Sequence, residues 1–521
     1  MTDQQSHQDS LEKKVNPRGS SPSFVSDNAT SSSEVRLNKS SFSMLGAIGV
    51  QWGTAAAPLT ICANLQLVVG VGGSPFYFWG FVVSSFFQFL LVLSLAELAS
   101  CFPHTSGPAF WVANLAPKRY SLFLTYWVGM TTTWGWLFGM AGSAIYAGQY
   151  LISLGVINDS SVTGTKWQIY LLVLGIGIAS FVINTVGFKI LRKIMFPLMI
   201  TFNLATVFIF VTLLAKASPK ASASTVFIDV TNHSGWPNDV APFLINLLPG
   251  SVALSLLDGA THASDEMPEP AVQVPKVMVG TTILNILSTF VMLIGVLFCL
   301  KSPETLLEPL AGIAFLQLCY NAWPNNGFVT TIAAIFSLGN ISSVFAFTYA
   351  CSRMIWAFSQ TGGINGREWL MKVQPGLKVP LNAVITTITL LVLTCLLVLG
   401  PETVMNAIFG AGGFFFVNSY GIPVLLLLLK GRDSLPANRS FNLGQLGWVI
   451  NVLAVLWGIL IMVVSNFPTS LPVTLSSMNW ASACVGVCAL VSFANWFLVR
   501  KTWVPPAVMY TIEYVHFATR E

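Results

Sequence analysis

The sequence has very little charge for its length. Only 9% of its 521 residues are Asp, Glu, Lys or Arg, whereas 54% are hydrophobic, and a soluble domain carries about 25% charged residues. No water-soluble fold could bury that much apolar surface, so the composition excludes a soluble globular protein. It predicts a chain whose main solvent is lipid.

Several kinds of chemical site are also missing from the sequence. It contains no nucleotide-binding glycine loop and no His/Cys cluster with metal-ligand spacing, so we expect no cofactor, no bound metal and no enzymatic activity. Of the eight cysteines, only Cys319 falls in a predicted outer loop, where it has no partner. A disulfide framework is therefore not expected. Cys484 and Cys488 share a helix face, but no histidine or carboxylate is near them, which favours a packing role.

Long apolar runs dominate what the sequence does contain. A membrane-spanning helix needs about 20 apolar residues, and these runs are continuous, whereas strands of a membrane barrel alternate. We therefore predict an all-α polytopic membrane protein with twelve transmembrane helices, at approximately 44–69, 76–101, 122–153, 167–187, 194–215, 241–262, 278–300, 327–356, 380–399, 403–429, 444–466 and 480–499.

The placement of basic residues supports this map. With the N-terminus in the cytoplasm, 21 of the 25 Lys and Arg residues lie in inner segments, as the positive-inside rule requires. Both termini are thus predicted to be cytoplasmic, and the net charge of +5 reports topology and not nucleic-acid binding. Residues 1–40 are predicted to form a disordered cytoplasmic tail. The twelve-helix domain covers 41–503, and a short cytoplasmic tail covers 504–521.

Two of the predicted spans contain residues that break helices. The first has the segment Gly-Val-Gln-Trp-Gly at 49–53 and then Pro58, and the sixth has Pro249–Gly250 and Asp258–Gly259. Glycine and proline weaken helices, and interrupted helices in corresponding positions of two halves are typical of a transporter binding site. Because five is odd, two sets of five helices that begin with these spans run in opposite directions. We predict a 5+5 inverted repeat with two extra helices; close packing of small residues is the alternative explanation of the first segment.

Very few ionisable groups fall inside the predicted spans, and the only acids are Glu97 and Asp258. A charge at the centre of a span costs roughly 2.5–3.5 kcal/mol on insertion scales, so each acid is a functional-site hypothesis. Asp258 could bind a cationic substrate or carry a proton, or it could cap the half-helix that follows. Glu97 could carry a proton or hold an inner loop through basic residues. His262, one turn beyond Asp258, could relay protons or pack as a neutral ring.

Two further hypotheses rest on weaker patterns. Trp52 lies within the predicted first break, where its ring face could hold a cationic amine. The sequons at Asn158 and Asn232 fall on the predicted outer side and are candidate glycosylation sites, whereas those at Asn28 and Asn438 fall inside and should be silent.

Five segments of the chain carry motifs of a known family. They read SLAELASCFPHTSGPAFWVANLAP at 94–117, INTVGFKILRKI at 183–194, LLDGATHASDEMPEPAVQVPKVM at 256–278, CSRMIWAFSQTGGI followed by VPLNAV at 351–384, and SNFPTSLPVTLSSMNWASACVGV at 465–487. In order and in register, these segments resemble the amino acid/choline permeases of the amino acid–polyamine–organocation superfamily, and especially fungal GABA and choline permeases. The resemblance covers about 44–503.

This resemblance implies a substrate site built from exposed backbone at the breaks of the first and sixth helices. Half-helix N-termini favour anions and freed carbonyls favour cations. The chain lacks the Gly-x-Gly often found in the first helix of amino acid carriers, which leaves room for choline-like amines. On matching positions the site residues would be Gly49, Val50, Gln51, Trp52, Gly53, Leu257, Asp258, Gly259 and Ala260.

The residues and the resemblance together predict a multi-pass plasma-membrane permease. We expect it to import an amino acid, GABA, choline or a related small amine by alternating access, with proton coupling, as the resemblance implies. Its partners would be that substrate, a coupling proton and the lipid bilayer, without nucleic acid. A transport-inactive nutrient receptor on the same fold is the alternative. An intramembrane enzyme would need a nucleophile–base pair or a metal site at depth.

Overall fold

The computed structural model describes residues 43–159, 161–400, 404–474 and 478–503. The predicted tails at 1–40 and 504–521 lie outside these residues. Eighteen α-helices follow one another along the described chain: α1 Met44–Ala55, α2 Ala57–Ala63, α3 Gly73–Cys101, α4 Pro108–Leu115, α5 Lys118–Asn158, α6 Lys166–Asn184, α7 Phe188–Lys216, α8 Ala223–Phe227, α9 Val240–Ile245, α10 Leu247–Ala253, α11 Pro270–Cys299, α12 Ala314–Ala322, α13 Asn326–Gln360, α14 Arg367–Leu370, α15 Leu381–Cys395, α16 Val404–Lys430, α17 Gly447–Val464 and α18 Ala481–Val499.

Eleven segments of the described chain are long and apolar enough to cross a membrane. This confirms the all-α, multi-pass prediction. The predicted sixth span, 241–262, is different, because its apolar helical part covers only Val240–Ala253. The count of twelve continuous spans is therefore not confirmed, and the inverted relation of the two sets of five stays a prediction.

The first interruption lies further along the chain than we predicted. Residues 49–53 are helical, α1 continues to Ala55, and the break falls at Ala56, which has left-handed backbone angles (φ 37°, ψ 48°). Pro58 explains the position, because proline lacks an N–H and clashes with the carbonyl four residues earlier. The glycine of this segment that lies nearest a neighbour is Gly49: a Cβ there would lie 2.5 Å from the carbonyl carbon of Met195 on α7. Gly49 therefore allows close helix packing.

The second interruption is likewise displaced from part of its predicted position. Pro249–Gly250 lies within α10 and does not break it. Regular α-helix stops at Ala253, and a short 3₁₀ helix resumes at Thr261–Glu266. Between them, residues 254–260 have no regular helical structure, so Asp258 lies in an unwound segment as the sequence indicated.

The helices form a bundle whose outer surface is apolar. The most extensive contact joins α5 and α13, and α16 packs against α5 on the same core. At the periphery, α18 exposes Leu490, Phe497 and Leu498, which are 71%, 62% and 67% accessible. Such a surface would favour aggregation in water, but it matches the hydrocarbon of a bilayer. The unwound segment lies inside the bundle, and Asp258 has no accessible surface.

Helices α3 and α10 touch at the backbone level. A Cβ placed on Gly80 would lie 2.3 Å from the carbonyl oxygen of Asn246, and one placed on Gly250 would lie 2.9 Å from the Cβ of Ser84. Two side-chain bonds join the same surfaces: Ser84 Oγ donates to Leu247 O over 2.7 Å, and Asn246 Nδ2 donates to Val71 O over 2.6 Å. This contact fixes the helix that precedes the unwound segment.

We predict that Gly80→Ala destabilises the protein, whereas Gly175→Ala does not. The new methyl group at Gly80 has no space, and overpacking typically costs about 1–3 kcal/mol. Nothing lies within 4 Å of a Cβ on Gly175 of α6, so alanine there should only improve helix propensity. Thermal denaturation of the two purified variants in detergent measures the difference. Equal midpoints would contradict the close α3–α10 contact.

Candidate functional site

The side chain of Gln51 bridges the unwound segment. Its Nε2 donates to the carbonyl oxygen of Leu256 over 2.6 Å, and its Oε1 accepts from the backbone N–H of Ala260 at 2.5 Å. In an α-helix the N–H of residue 260 would donate to the carbonyl of residue 256. The amide of Gln51 therefore takes the place of one missing helical hydrogen bond. Gln51 is buried on α1, 205 positions before Leu256.

Gly259 makes room for this bridge. A Cβ at that position would lie 2.7 Å from Gln51 Oε1 and 3.3 Å from the ring of Trp136 on α5. Both neighbours are buried, so neither could move away without exposing the unwound backbone. Gly259 is thus needed because a side chain would displace the bridging amide.

Asp258 is completely buried and is held by side chains from other parts of the fold. Its Oδ1 accepts a 2.6 Å hydrogen bond from the hydroxyl of Tyr420 on α16. Its Oδ2 lies 3.2 Å from Nε2 of His262. The 3₁₀ helix that follows has Ala260 at its N-cap, without a side-chain capping bond. The carboxylate therefore faces Tyr420 and His262, and the capping alternative is wrong.

The contact between Asp258 and His262 requires a proton. His262 Nδ1 lies 2.8 Å from the carbonyl oxygen of Thr105, and a carbonyl can only accept, so we assign the Nδ1 proton to this bond. In a neutral ring, Nε2 then carries a lone pair that faces Asp258 Oδ2. Two acceptors at 3.2 Å repel each other unless one proton lies on the histidine or on the carboxyl group. The pair is therefore suited to hold a single exchangeable proton.

Aromatic rings surround this acid–histidine pair. Trp136 meets His262 edge to face, with ring centroids 5.1 Å apart, and also contacts Phe416. Phe416 stacks on Tyr420 at 5.6 Å. A small cavity beside Tyr420, lined in part by Ser255 and Trp457, has about the size that one water molecule needs. The described conformation is thus closed around the unwound segment.

The first break has its own polar contact, and the side chain of Trp52, in the turn before the break, packs against α7. The N–H of Ala57, at the start of α2, donates to Asn285 Oδ1 on α11 over 3.3 Å. Trp52 is buried and stacks on Phe202 of α7, with centroids 6.2 Å apart and planes 9° apart. One face of the Trp52 ring is therefore covered by Phe202. The tryptophan that contacts His262 is Trp136.

Glu97, at the predicted inner end of α3, anchors a loop. Its Oε1 accepts from Arg432 Nη2 at 2.8 Å, from Arg439 Nε at 2.9 Å and from the backbone N–H of Leu443 at 3.1 Å. These partners all belong to the segment that joins α16 to α17. A buried carboxylate needs such partners. Glu97 could carry a proton or hold an inner loop, and the contacts in the structure are those of a residue that holds a loop.

A second buried ion pair was not predicted from the sequence. Arg353, near the inner end of the predicted span 327–356, lies within α13, fully buried, with its Nε 3.2 Å from Glu266 Oε1. The guanidinium also lies over the rings of Tyr349 and Phe188, 4.4 and 4.7 Å from their centroids. Because a buried charge must be paired, Glu266 compensates for it. This pair fixes the 3₁₀ helix after Asp258 against α13.

The two predicted glycosylation sites stay predictions. Asn158 ends α5 and donates to Leu154 O and Thr330 Oγ1, and its side chain is exposed. Asn232 accepts from Ser234 and donates to Asp239 Oδ1. Both lie in or beside connecting segments of the described chain.

Sequence reasoning missed Tyr420 as a neighbour of Asp258, and Thr105 and Trp136 as neighbours of His262. Tyr420 is 162 positions away and Thr105 is 157 positions from His262, so no local spacing marks them. The only available signal was a polar or amphipathic residue within an apolar span, and many tyrosines and tryptophans in membrane proteins are packing or interface residues.

An all-helical bundle with two interrupted helices, which meet around a buried carboxylate inside an apolar shell, is an arrangement of membrane transport proteins. The comparisons with known proteins agree. A family model described as amino acid permease matches residues 40–490. The chain belongs to the amino acid permease family.

Several fungal proteins are similar to the chain along most of their length. A choline transporter of Saccharomyces cerevisiae is 26% identical over 462 residues, which cover 88% of this chain and 81% of the relative. The swainsonine transporter swnT of Arthroderma benhamiae is 27% identical, covering 88% of this chain and 91% of the relative. Amino-acid permease 2 of Neurospora crassa is 24% identical, with 88% and 83% covered. These names identify transporters and no enzyme.

We predict that Tyr420→Phe destabilises the protein through Asp258. Loss of a hydrogen bond to a charged group typically costs about 1.5–3 kcal/mol. The cost should fall sharply in an Asp258→Asn background, which a double-mutant cycle of thermal denaturation measures. Tyr126→Phe is the matched control, because its hydroxyl donates to Ser492 O at 2.6 Å and does not touch Asp258. Equal coupling for both tyrosines would contradict the assigned contact.

We also predict that Arg353→Met is strongly destabilising, because the buried carboxylate of Glu266 then has no positive charge to pair with. Breaking a buried pair typically costs about 3–5 kcal/mol. The double variant Arg353→Met/Glu266→Gln should recover most of this loss, because no unpaired charge remains. The yield of monodisperse protein and its denaturation midpoint are the measurements. A double variant less stable than the single one would count against the pair.

Proposed function

We propose that this permease is a secondary active carrier that imports a small amine, an amino acid, GABA or choline by alternating access, coupled to protons. The observation that supports it most is the contact of Asp258 with His262 at the unwound segment. A buried pair that is suited to hold one exchangeable proton, within a segment that has left the helix, supports a proton site next to a substrate site.

The proton is proposed to move on and off Asp258 and His262. Tyr420 stabilises the charged carboxylate through Oδ1, and Thr105 O keeps the Nδ1 proton of His262 in place, so exchange is confined to Oδ2 and Nε2. Opening of the bundle towards either side would give this position access to water. Glu97 is not needed for this step, because its contacts hold the loop between α16 and α17.

The substrate is proposed to bind against the unwound segment and the end of α1. Freed backbone at such breaks can hold polar groups, and half-helix ends favour charges of opposite sign. The relatives named as choline, swainsonine and amino-acid transporters support a small organic substrate. We propose a plasma-membrane location with both termini in the cytoplasm, which rests on the distribution of basic residues.

A transport-inactive nutrient receptor is the alternative function on the same fold. It would bind the same compounds at the same site, but it would not move them across the membrane. Substrate flux therefore separates the two proposals, whereas binding alone does not.

We predict that the protein takes up at least one labelled compound from a panel of choline, GABA and amino acids, faster at acid than at neutral pH. The measurement uses cells without their own permeases. Asp258→Asn removes the proton position, so the acid stimulation should disappear and uptake should fall about tenfold or more, which corresponds to about 1.4 kcal/mol.

Asp229→Asn is the control for this experiment, because it makes the same chemical change in an exposed loop. Surface labelling must show equal amounts of each variant. Normal, acid-stimulated uptake by Asp258→Asn would sink the proton role of Asp258. Binding without any uptake would favour the receptor.

A further inference from the structure

The bridge made by Gln51 has a consequence for substrate chemistry. Its amide offers one N–H donor to Leu256 O and one oxygen acceptor to the N–H of Ala260. A zwitterionic amino acid offers the same two functions, because its ammonium group donates and its carboxylate accepts. In the closed conformation, these two backbone groups of the unwound segment are thus already paired within the chain.

The cost of removing this bridge is substantial. Displacing the amide would leave Leu256 O, Ala260 N–H and both ends of the buried Gln51 side chain to be paired again. An unpaired polar group in the interior is costly, because it has lost its hydrogen bonds to water without gaining others. A substrate that does not need these two backbone groups avoids that cost.

Among the described residues, the unwound segment offers a substrate carboxylate no positive charge that is not already paired. The ionisable side chains that the described residues place there are Asp258 and His262, in contact with each other. Arg353 is paired with Glu266, so it offers no free charge to an incoming carboxylate. A substrate carboxylate would lie near the Asp258 carboxyl group without a free cation to pair with, whereas an ammonium group needs no such cation.

We propose that Gln51 is a specificity-determining residue that keeps the backbone of the unwound segment occupied, and that the substrate is a small organic cation without a carboxylate, such as a quaternary ammonium compound. This inference rests on the proposed function for the location of the substrate site. It deepens that function by choosing one chemical class from the broader group of amines and amino acids.

The test uses two ligands that share a trimethylammonium group and differ by a carboxylate. Choline and glycine betaine are compared as ligands of the purified full-length protein, through the shift of its denaturation temperature, and as competitors of labelled choline uptake in cells. For the wild type we expect half-maximal effects at a concentration at least about tenfold lower for choline, equivalent to about 1.4 kcal/mol.

Gln51→Ala frees both backbone groups. We therefore expect the ratio of the half-maximal concentrations of glycine betaine and choline to fall by about tenfold. Gln317→Ala is the matched control. The amide of Gln317 on α12 also bridges two groups, because it accepts from the N–H of Leu310 and donates to Asn321 Oδ1, so its loss should leave the wild-type preference in place. If Gln51→Ala does not fold, the wild-type comparison of the two ligands still decides the substrate class.

The outcomes separate this inference from the proposed function. A wild type that binds and transports both ligands equally well overturns the inference and leaves the carrier function intact. Preferential binding of choline without uptake supports the inference and removes the carrier function. A folded Gln51→Ala variant with the wild-type preference shows that Gln51 does not set specificity. Failure of every cation to bind or to be transported overturns the inference.

Discussion

The structure depends on how a side chain from another helix pairs the backbone groups of one interrupted helix. Residues 254–260 leave the helical path, and the amide of Gln51 bridges Leu256 O and Ala260 N–H, which would be bonded to each other in a helix. This bridge joins α1 to the unwound segment, requires glycine at position 259, and gives two buried backbone groups a hydrogen-bond partner. In a bundle surrounded by lipid, water is not available to free backbone groups. The glutamine amide supplies both a donor and an acceptor, so residues 254–260 can stay unwound.

Buried charge follows the same logic of local compensation. Glu97 is matched by Arg432 and Arg439, Arg353 by Glu266, and Asp258 by His262 together with the hydroxyl of Tyr420. The first two sets hold the loop before α17 and the 3₁₀ helix against the bundle. The third set is different because it pairs the carboxylate with an imidazole, which can hold or release a proton, and not with a guanidinium, which stays protonated. Of these three sets, the Asp258–His262 pair is therefore the one that we propose as the proton site.

The membrane class, the helices and the two interruptions were predictable because lipid demands long apolar runs and because proline and glycine act locally. The exact breaks were harder. In the first helix, Pro58 sets the break through its effect on the preceding turn, while Gly49 serves contact with α7. Asp258 was visible as a charge in an apolar run. His262 was visible one turn further on, and it is the partner of Asp258. The contact of Tyr420 with Asp258, and the role of Gln51, depend on contacts between distant segments, which local spacing does not encode.

The single proton proposed between Asp258 and His262 has an electrical consequence. A carboxylate with a protonated imidazole, or a carboxyl group with a neutral one, has a net charge of zero in either form. In the proposed cycle the proton leaves with the substrate, so the empty pair would return with a charge of −1, and an interior-negative membrane potential would favour that outward return. A cationic substrate would make the loaded step sensitive to voltage. The interior-negative potential would then favour both the inward movement of the loaded site and the outward return of the empty one.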